Sequence, residues 1–399
     1  LYRYRPTGRV MVYAPCKGVD IGLEENLRRL LDQDYDDYQV TFIVESTSDP
    51  AYRLIRRLMA EHRRVTARVV VAGLATDAGQ KIHNLRAATA EIPPDVEYLA
   101  FVDSDARPRR QWLRALVSHL DHRRVGVASG YRWFVPVEPT FAGHLIYSIN
   151  CNVAVLFRSR DPNLIWGGSW AVRRGVFESL RIRDALKGML TEDLVVARLI
   201  QQNRLRVEYE PACMVASPVD GDFRKLFAFL RRQYMLGRFY VPGWWRFGFV
   251  TTLYANVVLL TSAGLLVWGL AARAPLAGIP AGVCAALYGL HVVRGLLRQS
   301  LVGVYCPDLR RALRRAVRFD IWAGPLVGMF STAGLISSAL GRQVTWRGTT
   351  YRVLRGGQTR IVRRDTDAPE EDGEDRQPED SRPADPSARS GRLSFRKAG

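Results

Sequence analysis

The chain has 399 residues, enough for one large or two ordinary domains with a full core, and a formal net charge of +19 with a pI near 10.2. Such a charge ordinarily points to nucleic acid or an anionic membrane surface. Zinc-finger, RNP and helix-turn-helix signatures are absent, however, and the basic residues, nearly all arginine, cluster beside apolar segments, so membrane proximity accounts for the charge and nucleic acid is set aside.

The opening residues Leu1 to Pro6 are polar and carry no secretory signal. From there to about residue 215 strand-like and helix-like stretches alternate. Apolar runs predict strands over 10–14, 40–44, 68–72 and 98–102; helical periodicity predicts helices over 22–33, 51–62, 81–90 and 108–120. In the first helix Leu23, Leu27, Leu30 and Leu31 share one face. This alternation indicates βαβ units around a mostly parallel sheet. Cys16, Cys151, Cys213, Cys284 and Cys306 lack CxxC spacing, which excludes a disulfide framework and structural zinc.

Residues 222–240 read as an amphipathic stretch, followed by Trp244, Trp245 and Phe247, an aromatic belt of the kind found at a bilayer surface. Residues 249–270 then hold no charge over 22 positions, long enough to span a bilayer core. A second candidate covers 276–293, interrupted by Pro280 and His291, and a third covers 321–340, rich in glycine with Pro325. Arg294, Arg298, Arg310, Arg311, Arg314, Arg315 and Arg318 fill the second link, against Arg273 alone in the first. The positive-inside rule therefore puts the second link and the α/β domain in the cytoplasm. A re-entrant third segment keeps the basic residues 341–364 on that side too. Residues 365–399 read as a disordered tail.

Five elements can carry chemistry. Asp103-Ser104-Asp105 follows the apolar run 98–102 and delivers two carboxylates at a strand's C-terminal edge, where open α/β sheets bind ligands. Mg²⁺ or Mn²⁺ takes one or two carboxylates together with substrate phosphates, so the pair suits a metal-bridged nucleotide diphosphate. Pro15 and Gly18 shape the exit of the first strand, where Lys17 can meet phosphate or simply occupy an ordinary turn. Glu45 and Asp49 end the second strand; they can hydrogen-bond a base or ribose, and Asp49 can equally cap the next helix. Lys81 and Asn84 open a helix whose N-terminus attracts phosphate, or is merely solvated. In Thr191-Glu192-Asp193, Asp193 is either a first-turn acid favoured by the helix dipole or a general base for an acceptor hydroxyl. Trp166 to Trp170 offers a glycine turn flanked by aromatic surfaces.

The order APCKGVD, SDPA, KIHNL, DSD, GGSWA and TED resembles the family-2 glycosyltransferases, most closely their ceramide glucosyltransferase branch and its bacterial relatives. The resemblance covers about 10–240 and resumes at VTWRGTTY over 344–351. It implies a nucleotide-binding GT-A fold, a UDP-sugar donor and inversion at the anomeric carbon. It further implies that Asp103 and Asp105 hold donor and metal, that Asp193 is the base, and that Lys81 and Asn84 lie at the donor site. Three departures stand out. Ser46 occupies the place of the branch's aspartate, which leaves uridine recognition to Glu45. The QxxRW motif is replaced by Arg231-Arg232-Gln233-Tyr234, followed by Arg238; Tyr234 can replace the Trp as an aromatic wall, Arg232 or Arg238 can still face the diphosphate, and Arg232 and Gln233 count among the donor-binding residues. The branch's N-terminal anchor has no counterpart in this sequence.

The expectation is thus an α/β GT-A domain over 10–240 (222–247 interfacial) after an N-terminal segment 1–9, then a membrane region over 249–340. Its function would be metal-assisted transfer from a UDP-sugar to a ceramide-like lipid hydroxyl at the inner membrane, with Trp170, Glu192 and Tyr234 near the acceptor. A polyprenyl-phosphate or polysaccharide acceptor, and a non-catalytic nucleotide-binding scaffold, are the alternatives.

Overall fold

A computed structural model describes residues 6–157, 163–305 and 307–365. The tail beyond 365, residues 1–5 and Cys306 lie outside the described residues. The first half runs β1 (Arg9–Pro15), α1 (Leu23–Leu30), β2 (Tyr38–Val44), α2 (Pro50–Glu61), β3 (Thr66–Val71), α3 (Gln80–Ala88), β4 (Val96–Val102), α4 (Trp112–Val117), β5 (Val125–Pro136) and α5 (Phe141–Ala154). There follow β6 (Ser169–Arg173), α6 (Arg174–Ser179), α7 (Ile182–Ala185), α8 (Asp193–Gln202), β7 (Arg206–Val219) and α9 (Phe223–Tyr240). The apolar helices are α10 (Pro242–Ala271) and α11 (Gly278–Ser300), followed by α12 (Val302–Tyr305), α13 (Arg314–Trp322) and α14 (Gly324–Ala339). Three short strands, β8 (Gln343–Trp346), β9 (Thr349–Val353) and β10 (Thr359–Arg364), follow.

The seven-stranded sheet has the order β3-β2-β1-β4-β6-β5-β7, with β6 the antiparallel member. β1, β2 and β4 are buried on both faces, which is why they read as continuous apolar runs rather than alternating ones. On one face α1, α2 and α4 close a core around Val12, Phe42, Ala100 and Trp112. On the other, α3, α8 and α9 pack over Met11, Leu99 and Val172, together with Val344, Tyr351 and Val353 of the small sheet. Strand order reverses between β1 and β4, so their C-terminal ends border the crevice where doubly wound sheets bind ligands.

Two helices, Pro242–Ala271 and Pro275–Tyr305 including its 3₁₀ entry, are long and apolar enough to cross a membrane. Only 6% and 0% of their most apolar windows are covered by protein, so that surface faces outward. The first begins earlier than the sequence suggests, because Pro242 supplies its N1 position and Trp244 and Trp245 join it. The third apolar segment is a pair, α13 and α14, bent by 82°. Arg298, the last charged residue of α11, is 3% exposed and forms a bidentate pair with Asp320 of α13, at 2.9 and 2.8 Å. Arg298 also donates to Asn152 of α5 at 2.8 Å, Gln299 donates to Asp320, and the Tyr147 hydroxyl donates to Gln299 at 2.6 Å. This node fastens the apolar helices to the α/β domain.

Candidate active site

β1 and β4 bring two loops together at the switch point. After β4, Asp103 and Asp105 straddle the buried Ser104. After β1, Lys17 Nζ pairs with Glu45 Oε2 at 3.0 Å, while the Gly18 N–H donates to Asp49 at 2.9 Å. Asp49 also accepts from Ala51 N–H at 2.8 Å, with Pro50 at N1, so it caps α2 and latches the β1 exit. Asp49 therefore serves the loop's shape, and Glu45 meets Lys17 from the adjacent strand end.

Lys81 is the hub. Its ammonium lies 2.6 Å from Asp103 Oδ1, contacts Glu192 Oε1 and donates to the Gly167 carbonyl at 3.2 Å. Burial would lower this ammonium, but Asp103 and Glu192 hold it above its ordinary value. The approach needs two glycines. A Cβ at Gly79 would lie 2.9 Å from the Leu190 carbonyl, and one at Gly167 would overlap Glu192 Oε1. Lys81 thereby joins the aspartate pair to the start of α8.

At that start, Glu192 is 2% exposed, and burial pushes its carboxyl up to about 7, Lys81 opposing and Asp193 and Asp103 adding to the rise. Asp193 is half-buried and accepts from Gly167 N–H at 3.1 Å, from Leu194 N–H at 2.7 Å and from the Thr191 hydroxyl. A carboxylate has about four lone-pair sites, so one remains to receive a proton from a nearby hydroxyl. Across the crevice Arg132 of β5 stands 3.6 Å from Asp105 Oδ2. Asp105 Oδ1 is buried without a hydrogen-bond partner among the described residues, and burial, with Asp103 beside it, pushes this carboxyl up.

Arg232 of α9 lies between the rings of Phe229 (5.3 Å) and Trp346 (5.0 Å) and makes no hydrogen bond or ion pair among the described residues. Burial, reinforced by Arg132 and Arg347, lowers its guanidinium to about 10.

Other expected residues lie elsewhere. Trp170 is fully buried in β6, stacked on Phe101 at 4.0 Å, and so belongs to the core rather than to an acceptor surface, because strand alternation turns its ring inward. Asn84 is buried and accepts from Gln80 Nε2 at 2.8 Å, stiffening the first turn of α3 instead of facing the crevice. Tyr234 packs toward Gly334 of α14, and Gln233 is exposed one position beyond Arg232. Pro15 ends β1 and is half-buried. Sequence reasoning passed over Arg132, Asp20 and Arg347. Arg347 lay inside the quoted VTWRGTTY stretch and its partner Asp20 closed the quoted APCKGVD stretch, but nothing local joined the two.

The candidate metal ligands can be tested on their chemistry. Among the described residues no cluster of three or more His, Cys, Asp or Glu converges. Two carboxylates, one with an unpartnered buried oxygen, nonetheless match a Mg²⁺ or Mn²⁺ that draws its remaining ligands from phosphate and water. The residues fit such an ion.

This fold, with its crevice of paired carboxylates, belongs to an α/β glycosyltransferase carrying helices able to cross a membrane. The chain is a member of glycosyl transferase family 21, whose model matches residues 4–359. Family 21 is what the match shows, and not the family 2 named from the motifs. The structure is also similar to a mannosyltransferase from Pyrobaculum calidifontis solved in complex with GDP-Man and Mn²⁺. That similarity has a TM-score of 0.45 at 17% identity and covers 84% of this chain and 86% of that one.

Proposed function

We propose that this glycosyltransferase moves a sugar from a UDP-sugar to a lipid hydroxyl at the cytoplasmic face of the inner membrane, with inversion. The observation that carries the reading is the Lys81 bridge, which sets Asp103 and Asp105 against Glu192 and Asp193 around one crevice. Asp193 takes the acceptor hydroxyl proton, and the oxygen attacks the anomeric carbon as its bond to the donor diphosphate breaks. Charge gathering on the leaving diphosphate is met by Arg232 and Lys81. Asp103 and Asp105 would hold Mg²⁺ or Mn²⁺, which when bound neutralises that same charge. Lys17 and Glu45 border the nucleoside end.

The acceptor argument comes from placement. The N-terminus of α10 continues directly from α9, which carries Arg232, so donor chemistry lies within one helix of the apolar surface. The small sheet supports the topology. β8–β10 follow the bent α13–α14 pair yet pack on the catalytic core, so both lie on one side of the bilayer and the pair dips in and returns.

The test is nucleotide release by detergent-purified protein with Mn²⁺, panels of UDP-sugars and GDP-sugars, and ceramide, membrane lipid extract or polyprenyl phosphate as acceptor. Lipid-stimulated UDP release that vanishes in Asp193→Asn supports the reading. Release with GDP-sugars only, or with polyprenyl phosphate only, overturns the donor or the acceptor.

A further inference from the structure

We infer that Arg347, at the tip of the β8–β9 hairpin, binds the donor diphosphate together with Arg132 and Arg232, so that the C-terminal sheet forms one wall of the donor site. The inference rests on the nucleoside-diphosphate donor proposed above and adds ligands that lie outside the catalytic α/β sequence.

The hairpin connection has two residues, because Trp346 pairs with Thr349 across Arg347 and Gly348. Both adopt left-handed backbone, φ 47° at Arg347 and 76° at Gly348, as a tight hairpin turn requires. Asn, Asp or Gly suits the first position; a long side chain there is sterically disfavoured. An outlier of that kind points to use of the side chain.

The tip is held in place from below. Val344, Tyr351 and Val353 are buried in the catalytic core, and the Tyr351 hydroxyl accepts from Gln80 N–H at 3.3 Å at the start of α3. The guanidinium is consequently aimed into the crevice, donating to the Lys17 carbonyl at 2.6 Å and to Asp20 Oδ2 at 2.6 Å. Asp20 first, then Asp105 and Asp103, outweigh burial and raise this guanidinium above its ordinary value.

Arg132 thus stands 3.6 Å from Asp105, and the charge of Asp105 also reaches Arg232 and Arg347. Arg132 and Arg232 share the Phe229 ring at 5.5 and 5.3 Å, and Arg232 stacks on Trp346, the neighbour of Arg347. The aromatic rings fix their positions without neutralising them. Like charges held this close disfavour one another until an anion arrives. A diphosphate offers several oxygens in the geometry that guanidinium forks accept in pairs, which a lysine at the same place would not match. Asp20 and the Lys17 carbonyl keep Arg347 poised before the donor enters.

The experiment measures binding, without acceptor, by calorimetry on the full detergent-solubilised chain with Mg²⁺. The probes are UDP against UMP and GDP against GMP. Arg347→Ala is expected to weaken the diphosphate that wild type binds by about tenfold to a hundredfold while changing the monophosphate less than about twofold. Arg347→Lys should fall between, and Arg352→Ala, exposed on β9 of the same hairpin, should match wild type. Hydrogen exchange of 343–350 should slow with UDP and not with UMP, a readout that needs no substitution. Equal losses for diphosphate and monophosphate, or unchanged diphosphate affinity with no protection of the hairpin, overturn the inference while leaving the proposed function standing. Wild-type protein that binds neither diphosphate overturns both.

Discussion

Two polar clusters in this molecule have similar ingredients and opposite balance. At the joint of α11, α13 and α5, Arg298 and Asp320 are 3% and 1% exposed, and their charges cancel through a bidentate pair closed by Gln299, Tyr147 and Asn152. At the switch point, among the described residues, Asp105 keeps an oxygen without a partner, and Arg232 rests between rings without a carboxylate of its own. The first cluster has spent its bonding capacity on the fold. The second holds capacity in reserve, which is what a site for a charged, transient ligand must do.

Substitutions can break or sharpen that contrast. The largest effect is expected at the reactive end: Asp193→Asn should lower turnover by about 10²–10⁴-fold with UDP affinity retained, measured by initial rates and calorimetry. Next, Asp320→Ala should cost about 3–5 kcal/mol by leaving Arg298 buried and uncompensated, read as a large fall in melting temperature in detergent. The double change Arg298→Met with Asp320→Leu should recover most of that loss; failure to recover would mean the pair does more than balance itself. Arg232→Gln should behave oppositely to Asp320→Ala, leaving the melting temperature of the unliganded protein unchanged or higher while weakening UDP about tenfold or more.

The last test is a pH slope. Glu192 has its carboxyl raised from an unfolded value near 4.5 to about 7, so the folded state holds the extra proton between those limits. This group's contribution to stability is therefore fully present below about 4.5 and is lost as pH rises toward 7. The difference in melting temperature between wild type and Glu192→Gln should shift against wild type across that interval. A flat difference would show that Lys81 fully compensates the burial.

Much of this was legible in the residues. Continuous apolar runs gave away β1, β2 and β4 because strands buried on both faces have no polar side to alternate with. Asp103, Asp105, Lys81 and Asp193 were readable because each directly follows a strand or opens a helix, where local sequence already determines position. Trp170 misled because an aromatic just after a glycine turn looks like a loop until β6 inserts it between β4 and β5. Arg132 lacked any local mark, and Arg347 sat in a quoted stretch without a role, since their relation to Asp105 arises from strand order and from a hairpin far along the chain. The re-entrant reading of the third segment came from charge asymmetry, whereas the 82° bend and the docking of β8–β10 are tertiary.

The span of one contact has a consequence for how the protein comes into being. Arg347 reaches Lys17 across 330 residues, and Tyr351 reaches Gln80 across 271. A ribosome must therefore deliver the catalytic sheet, both long apolar helices and the bent pair before the last piece of the core under α3 exists. Nascent chains, and any released early, carry every aspartate of the crevice but lack the packing that completes it. Late assembly of this kind ties completion of the crevice to delivery of the long apolar helices that precede the small sheet.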